Sequence, residues 1–335
     1  MGKKLIDSFG RHINYLRLSV TDRCDFRCNY CMSEDMTFLP KKEVLTLNEM
    51  VTICKVFINN GVKKIRISGG EPLVRKDIMW LFEQLGKLKD KHKLNEITLT
   101  TNGSQLEKYA EDLKKYGVNR INVSLDSLDN EDFSKITRTN GKYEQVMSGL
   151  KKAKKIGLKV KINTVAINNF NCKSFTDFVD YAIDNEFDIT FIEVMPMGDI
   201  GNENRLNQFI PLTEVKRIIE NKFKLIPTTE TTGGPSRYFK IPNINNSKIG
   251  FISPLSNNFC SGCNRVRITC TGTIYGCLGQ DNNVDLRPLI RNSKTTKLLE
   301  QGILKAIADK PKEHNFVIAK NNEVSINRHM NVTGG

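Results

Sequence analysis

Short runs rich in β-branched and aromatic residues alternate along the chain with longer stretches whose apolar positions recur at helical spacing. The runs are YLRLSV (15–20), KIRIS (64–68), EITLTT (96–101), RINVSL (120–125), LKVKINTV (158–165) and ITFIEV (189–194), and each reads as a strand. Between the first two, LNEMVTICKVFINNG sets Met50, Ile53, Cys54, Phe57 and Ile58 on one helical face, so Cys54 reads as core. Six such βα units in series predict parallel strands with helices outside, in a barrel or an open sheet. Beyond about residue 200 the alternation stops, and IPTTETTGGPSRYF leads into short strands. The pattern divides the chain into a βα region, 1–200, and a C-terminal α+β extension, 201–335.

Polar residues gather where the strands end: SGGEP after the second, TTNG after the third, SLDS after the fourth, INT in the fifth and EVMPMG after the sixth. Turns need Gly, Asn and Asp too, but five such ends exceed what turn chemistry requires. In βα barrels the C-terminal strand ends form the active face.

At 335 residues and 39% hydrophobic, the chain can bury a large core, and no stretch has the apolar length of a membrane span. The N-terminus has no apolar signal core, and Ile6 stands where a myristoylation signal at Gly2 would want Ser or Thr. A cytoplasmic protein is expected. The formal charge of +14 is carried largely by lysine-rich surface such as KKAKKIGLKVK. A focused subset of cations would suit a phosphate-bearing substrate or nucleic acid.

Nine cysteines in such a chain argue for metal or redox chemistry rather than a disulfide framework. Cys172 stands alone before a helix and reads as packing. Cys24, Cys28 and Cys31 form a CxxxCxxC loop after the first strand. Three thiolates are one short of a closed zinc site, for which His12 is the nearest candidate. On a four-iron cluster they would leave one iron open to the amine and carboxylate of S-adenosylmethionine. The late group FCSGCNRVRITCTGTIYGC offers Cys260, Cys263 and Cys277, with Cys270 as a possible fourth ligand of a zinc site. A ribbon-type zinc site would normally close with a second paired CxxC. Arg265 and Arg267 alternate beside this group and suit a phosphate recognised by fork geometry.

The CxxxCxxC loop followed by GGEP (69–72) resembles the signature of radical S-adenosylmethionine enzymes. FGRHINYLRLSVTDRCDFRCNYCM, IRISGGEPLVR, LTTNG, INVSLDSLD, KINTV, FIEVMPMG, GFISPLSNNFCSGCNRVRIT and the terminal GG narrow the resemblance to the GTP 3′,8-cyclases, which open molybdenum cofactor biosynthesis. The resemblance runs from about residue 9 to the end of the chain. It implies an incomplete (βα)6 barrel with a C-terminal extension carrying a second Fe–S cluster.

Residue by residue, the resemblance implies one [4Fe–4S] cluster on Cys24, Cys28 and Cys31, binding S-adenosylmethionine, and a second on Cys260, Cys263 and Cys277, whose open iron binds guanine. Cys270 then becomes a bystander. Tyr30, Gly70, Ser124 and Met195 match S-adenosylmethionine contacts; Arg17, Arg66, Thr100, Lys161, Arg265, Val266 and Arg267 match GTP contacts. The implied reaction begins with abstraction of the 3′ hydrogen of GTP by a 5′-deoxyadenosyl radical. Attack on C8 and one electron then give (8S)-3′,8-cyclo-7,8-dihydroguanosine 5′-triphosphate. The implied partners are GTP, a reductant such as flavodoxin or ferredoxin, and a downstream cyclic pyranopterin monophosphate synthase. A homodimer is compatible with the resemblance; neither nucleic acid nor a membrane is expected.

Three positions depart from that pattern: Asp25 for Asn, Ser33 for Pro, and Thr190 for an Arg before FIE. The last leaves one phosphate or tail contact to come from elsewhere. The terminal VTGG reads first as a frayed end, although backbone without side chains could thread into a crowded site. Two other readings stand beside the cyclase. One is a radical enzyme that modifies a peptide, against which the NRVR step and terminal GG speak, or RNA, for which no basic-aromatic stacking surface is evident. The other is a zinc protein that binds nucleic acid through its charge.

Overall fold

The structure, a computed structural model, describes residues 5–90, 94–198, 207–316 and 326–334. The six expected strands form as β1 (Tyr15–Ser19), β2 (Lys64–Ser68), β3 (Glu96–Thr101), β4 (Arg120–Ser124), β5 (Lys159–Ala166) and β6 (Asp188–Glu193). They pair in sequence order and all in parallel. The intervening helices are α1 (Leu47–Asn59), α2 (Ile78–Asp90), α3 (Leu106–Lys115), α4 (Asn130–Thr137), α5 (Tyr143–Lys155) and α6 (Phe175–Asn185).

The C-terminal part adds α7 (Leu212–Glu220), β7 (Ile226–Pro227), β8 (Arg237–Lys240), β9 (Ile249–Ile252), β10 (Arg265–Ile268), β11 (Thr273–Tyr275), β12 (Asn283–Asp285), α8 (Arg287–Arg291), α9 (Lys297–Ala308) and α10 (Met330–Thr333). Sequence periodicity stopped at six parallel strands. The structure extends them at both ends: β9 pairs in parallel with β6, and β10 in parallel with β1. Antiparallel pairs then complete a sheet ordered β12-β11-β10-β1-β2-β3-β4-β5-β6-β9-β8-β7.

Strict alternation explains both the sheet and its chemistry. Leu16 and Leu18, Ile65 and Ile67, Ile121 and Val123, and Val266 and Ile268 all pack into the core. A fully buried side chain of this kind stabilises by about 1.5–3 kcal/mol. Their neighbours Arg17, Arg66, Asn122, Lys161, Arg265 and Arg267 face the other way and line one cavity. Register stacks the layer, with Arg17 opposite both Arg267 and Arg66. β9, the last of the parallel strands, is fixed apolarly: Phe251 stacks on Phe191 of β6 at 6.0 Å, and Phe175 of α6 meets Phe191 edge-on at 5.4 Å.

Helix α1 begins where its sequence says it should. Thr46 Oγ1 accepts from Glu49 N at 3.2 Å, and the Glu49 carboxylate accepts from Thr46 N at 2.6 Å, a capping box whose loss typically costs about 1 kcal/mol. Cys54 is buried on its inner face, and Cys172 lies in the turn before α6, half-buried against the same core. No described helix is long and apolar enough to cross a membrane.

Candidate active site

Two cavities open on the polar face of the curled sheet. The first, a void of about 1030 Å³ open to solvent, is lined by Cys24, Cys28, Cys31, Tyr30, Gly70, Ser124 and Met195 among others. The cysteine loop folds back on itself, Cys31 N donating to Cys28 O at 2.9 Å. Gly70 is required by close approach: a Cβ there would stand 2.2 Å from the Arg23 carbonyl oxygen.

Buried carboxylates brace this cavity. Burial pushes Glu71 up to about 7, against bonds from Asn102 N, Leu73 N and Thr101 Oγ1 that favour its charged form. Asn102, so held, donates through Nδ2 to Asp25 Oδ1 at 2.7 Å and approaches Cys24 Sγ at 3.7 Å. Asp25, which departs from the Asn of the resemblance, is the acceptor of this bond. Burial likewise lifts Asp126 to about 6; it accepts from Tyr30 OH and Val165 N, each at 2.7 Å. That bond fixes the ring of Tyr30 against the cavity. Burial and then neighbouring charges, including the other thiols, push Cys24 and Cys28 up, so a metal must displace their protons to make thiolates.

The second cavity, about 1050 Å³ and also open, is lined by Cys260, Cys263 and Cys277 together with Arg17, Arg66, Lys161, Arg265 and Arg267. Ile252 of β9 and Arg265 of β10 both line it, so opposite edges of the parallel sheet meet at one space. Five basic side chains in a layer repel one another. Burial and then Arg267 hold Arg17 well below the ordinary arginine range; burial and then Arg265 hold Arg267 at about 10. Burial holds Lys161 at about 8, where it donates to Tyr238 OH at 3.1 Å. Arg265 Nε has no hydrogen-bond partner among the described residues. A polyanion would relieve this layer.

Asn163, Ile192 and Met195 line both cavities, which are therefore adjoining chambers. Thr100, expected with the GTP set, lines the first cavity, its buried Oγ1 without a hydrogen-bond partner among the described residues. The Val266 side chain packs in the core, because its strand neighbours take the cavity face. Cys270 is also core, its carbonyl accepting from Leu45 N at 2.8 Å. Thr190 is fully buried, its Oγ1 3.4 Å from Ser236 Oγ.

The C-terminus departs from the frayed end that the sequence suggests. Arg267 Nη1 donates to the Gly334 carbonyl at 2.5 Å, and Asn331 Nδ2 to the Asp22 carbonyl at 2.9 Å. Met330 and Asn331 line the first cavity; Gly335 lies outside the described residues. Sequence reasoning also missed His314, Phe316 and the loop Thr232–Ser236, all at the second cavity. Only the Gly-Gly-Pro step of that loop carries a signal, and it is an ambiguous one.

The donor chemistry fits the groups that the sequence implies. Each cavity brings three cysteines to a space with buried polar atoms that have no partner among the described residues, Thr100 Oγ1 and Asn331 Oδ1 in the first and Arg265 Nε in the second. Among the described residues no three His, Cys, Asp or Glu side chains converge as ligands of a single ion do; thiolates on separate irons of one cluster stand further apart.

Comparison with known proteins agrees with this geometry. A profile described as the radical SAM superfamily matches residues 18–182, and one described as Molybdenum Cofactor Synthesis C matches residues 187–316. Among solved structures, Streptococcus suis SuiB superposes with a TM-score of 0.63 at 19% identity, covering 90% of this chain and 68% of that one. SuiB bound to S-adenosylmethionine gives 0.61 at 19%, covering 92% and 78%. The profile thus assigns residues 18–182 to the radical SAM superfamily, and the solved structures share the fold of this chain.

Its relatives narrow the class. The GTP 3′,8-cyclase of Rhizobium etli (strain CIAT 652) is 52% identical over 332 residues, 99% of this chain and 94% of the relative. That of Nitrobacter winogradskyi is 50% identical over 333 residues, covering 99% and 96%. The chain belongs to the GTP 3′,8-cyclase family of radical SAM proteins.

Proposed function

We propose that this chain is a GTP 3′,8-cyclase that converts GTP to (8S)-3′,8-cyclo-7,8-dihydroguanosine 5′-triphosphate, in the first step of molybdenum cofactor biosynthesis. The carrying observation is the pair of adjoining chambers: each has its own cysteine triad, and only one has the layer of five cations. In this reading residues 1–200 hold the first triad, and residues 201–335 supply the second triad with Arg265 and Arg267.

Cys24, Cys28 and Cys31 would hold a [4Fe–4S] cluster with S-adenosylmethionine, and Cys260, Cys263 and Cys277 a second. When bound, these groups supply the electrons, the radical chemistry and a site for the purine. The chain's own share is placement. Tyr30, fixed by Asp126, offers a ring face, Gly70 close backbone, and Ser124 and Thr100 hydroxyls to the cofactor. Arg17, Arg66, Lys161, Arg265 and Arg267 hold the triphosphate where burial removes competing water. Asn163, Ile192 and Met195 form the boundary across which the ribose must meet the cofactor. The enzyme would work in the cytoplasm with flavodoxin or ferredoxin as reductant and pass its product to cyclic pyranopterin monophosphate synthase.

The test is anaerobic turnover of the reconstituted, reduced protein. GTP with S-adenosylmethionine yields 5′-deoxyadenosine and consumes GTP together. Turnover with a peptide or RNA in place of GTP would support the competing reading.

A further inference from the structure

Lys310 is a cation in an unusual place. It follows α9, is 2% exposed, and among the described residues no carboxylate forms an ion pair with it. A buried ammonium without a counter-ion is costly. Its Nζ donates instead to the Gly276 carbonyl at 2.5 Å and to Cys263 Sγ at 3.4 Å. The approach is built in on both sides. A Cβ at Gly276, the residue before Cys277, would stand 3.0 Å from Lys310 Cα and 3.1 Å from its Cβ. Glycine at 276 therefore admits the lysine to the late cysteines.

The first triad lies in an opposite setting. There Cys24 Sγ accepts from two neutral amides, Phe26 N at 3.4 Å and Asn102 Nδ2 at 3.7 Å, and the nearby charges are acidic, Glu71 and Asp126 buried and Asp25 half-buried. Arg27 Nη1 donates to the Cys24 and Phe26 carbonyls, and its guanidinium lies over the Phe38 ring at 4.9 Å. One chain thus surrounds two cysteine triads with charges of opposite sign.

We propose that Lys310 is a positioning residue for the iron–sulfur centre on Cys260, Cys263 and Cys277, serving as its internal counter-charge and raising its reduction potential above that of the centre on Cys24, Cys28 and Cys31. This rests on the reading of both triads as cluster ligands. Reduction adds a negative charge, and a fixed cation bonded to a ligating sulfur favours that state. Acidic neighbours disfavour it at the first triad.

The experiment is a redox titration of anaerobically reconstituted wild type, Lys310→Met and Lys310→Gln, followed by electron paramagnetic resonance with iron and sulfide assays. Wild type should show two midpoints, the one lost on removing the second triad being the higher. In Lys310→Met that midpoint shifts negative while the other stays, with iron content unchanged. Lys310→Gln keeps a donor for the Gly276 carbonyl without the charge. It should shift in the same direction and decides the matter if the Met variant fails to load iron. An unshifted midpoint in an iron-replete variant overturns the proposal, as does loss of fold in both variants, since Lys310 would then only hold the segment in place. Wild type with no iron at Cys260, Cys263 and Cys277 would instead refute the cluster reading beneath it.

Discussion

Arg267 Nη1 donates to the carbonyl of Gly334, 2.5 Å away, and so ties the end of the chain to the cation layer of the second cavity. Gly334 has φ +71°, and a Cβ there would stand 2.2 Å from Ser68 Oγ. Left-handed backbone alone costs a substituted residue roughly 1–2 kcal/mol. Gly334→Ala should therefore release the segment. Hydrogen exchange over 326–334 is expected to rise about tenfold, and unchanged protection would show the clash to be absorbed.

Arg265 and Arg267 supply the β10 half of the layer. Each alanine variant should weaken GTP binding by about 1.5–3 kcal/mol, the worth of a charge-assisted bond, while iron loading stays intact. Equilibrium dialysis reads the first quantity and iron assay the second. Full GTP affinity in both variants would place the triphosphate elsewhere.

Lys161 gives the binding a pH dependence. Held at about 8 chiefly by burial, it is charged below that value and neutral above it in the free protein. A polyanion favours the charged form, so GTP affinity is full below pH 8 and falls as pH rises, by up to about tenfold per unit. Tyr238, also at about 8 because Lys161 and its hydrogen bonds outweigh burial, shares that titration. Lys161→Arg should move the falling limb upward; a profile identical to wild type would remove Lys161 from the site.

Asn331 is anchored by its Nδ2 on the Asp22 carbonyl, which leaves a buried Oδ1 without a partner among the described residues at the first cavity. If that oxygen accepts from the cofactor, Asn331→Ala weakens S-adenosylmethionine binding by about 0.5–1.5 kcal/mol. The cluster on Cys24, Cys28 and Cys31 should be untouched. Equal affinity in the variant would leave Asn331 a purely structural role.

Periodicity made β1 to β6 legible, because alternate Leu, Ile and Val must face the helices and the polar neighbours must then face inward. It could not reveal that β9 and β10 join the sheet in parallel with β6 and β1. IGFI and RVRI are four residues each, and their parallel partners are set by packing such as Phe251 on Phe191. The cysteine spacing was equally plain, whereas Thr100, placed with the GTP set by the resemblance, lines the first chamber beside the boundary residues that the two chambers share. Lys310 and His314 lie far along the chain from the cysteines they approach, and single glycines such as Gly334 carry no pattern at all. These positions became visible only when the sheet curled.

The central claim is that two separate cysteine triads each hold a four-iron cluster. Iron and sulfide assays after anaerobic purification test it directly, in wild type, in Cys24→Ala, in Cys263→Ala and in Cys270→Ala. About eight irons and eight sulfides per chain are expected in wild type and in Cys270→Ala, and about four of each in the other two. Zinc in place of iron at either triad, or a loss of iron on removing Cys270, would contradict the account.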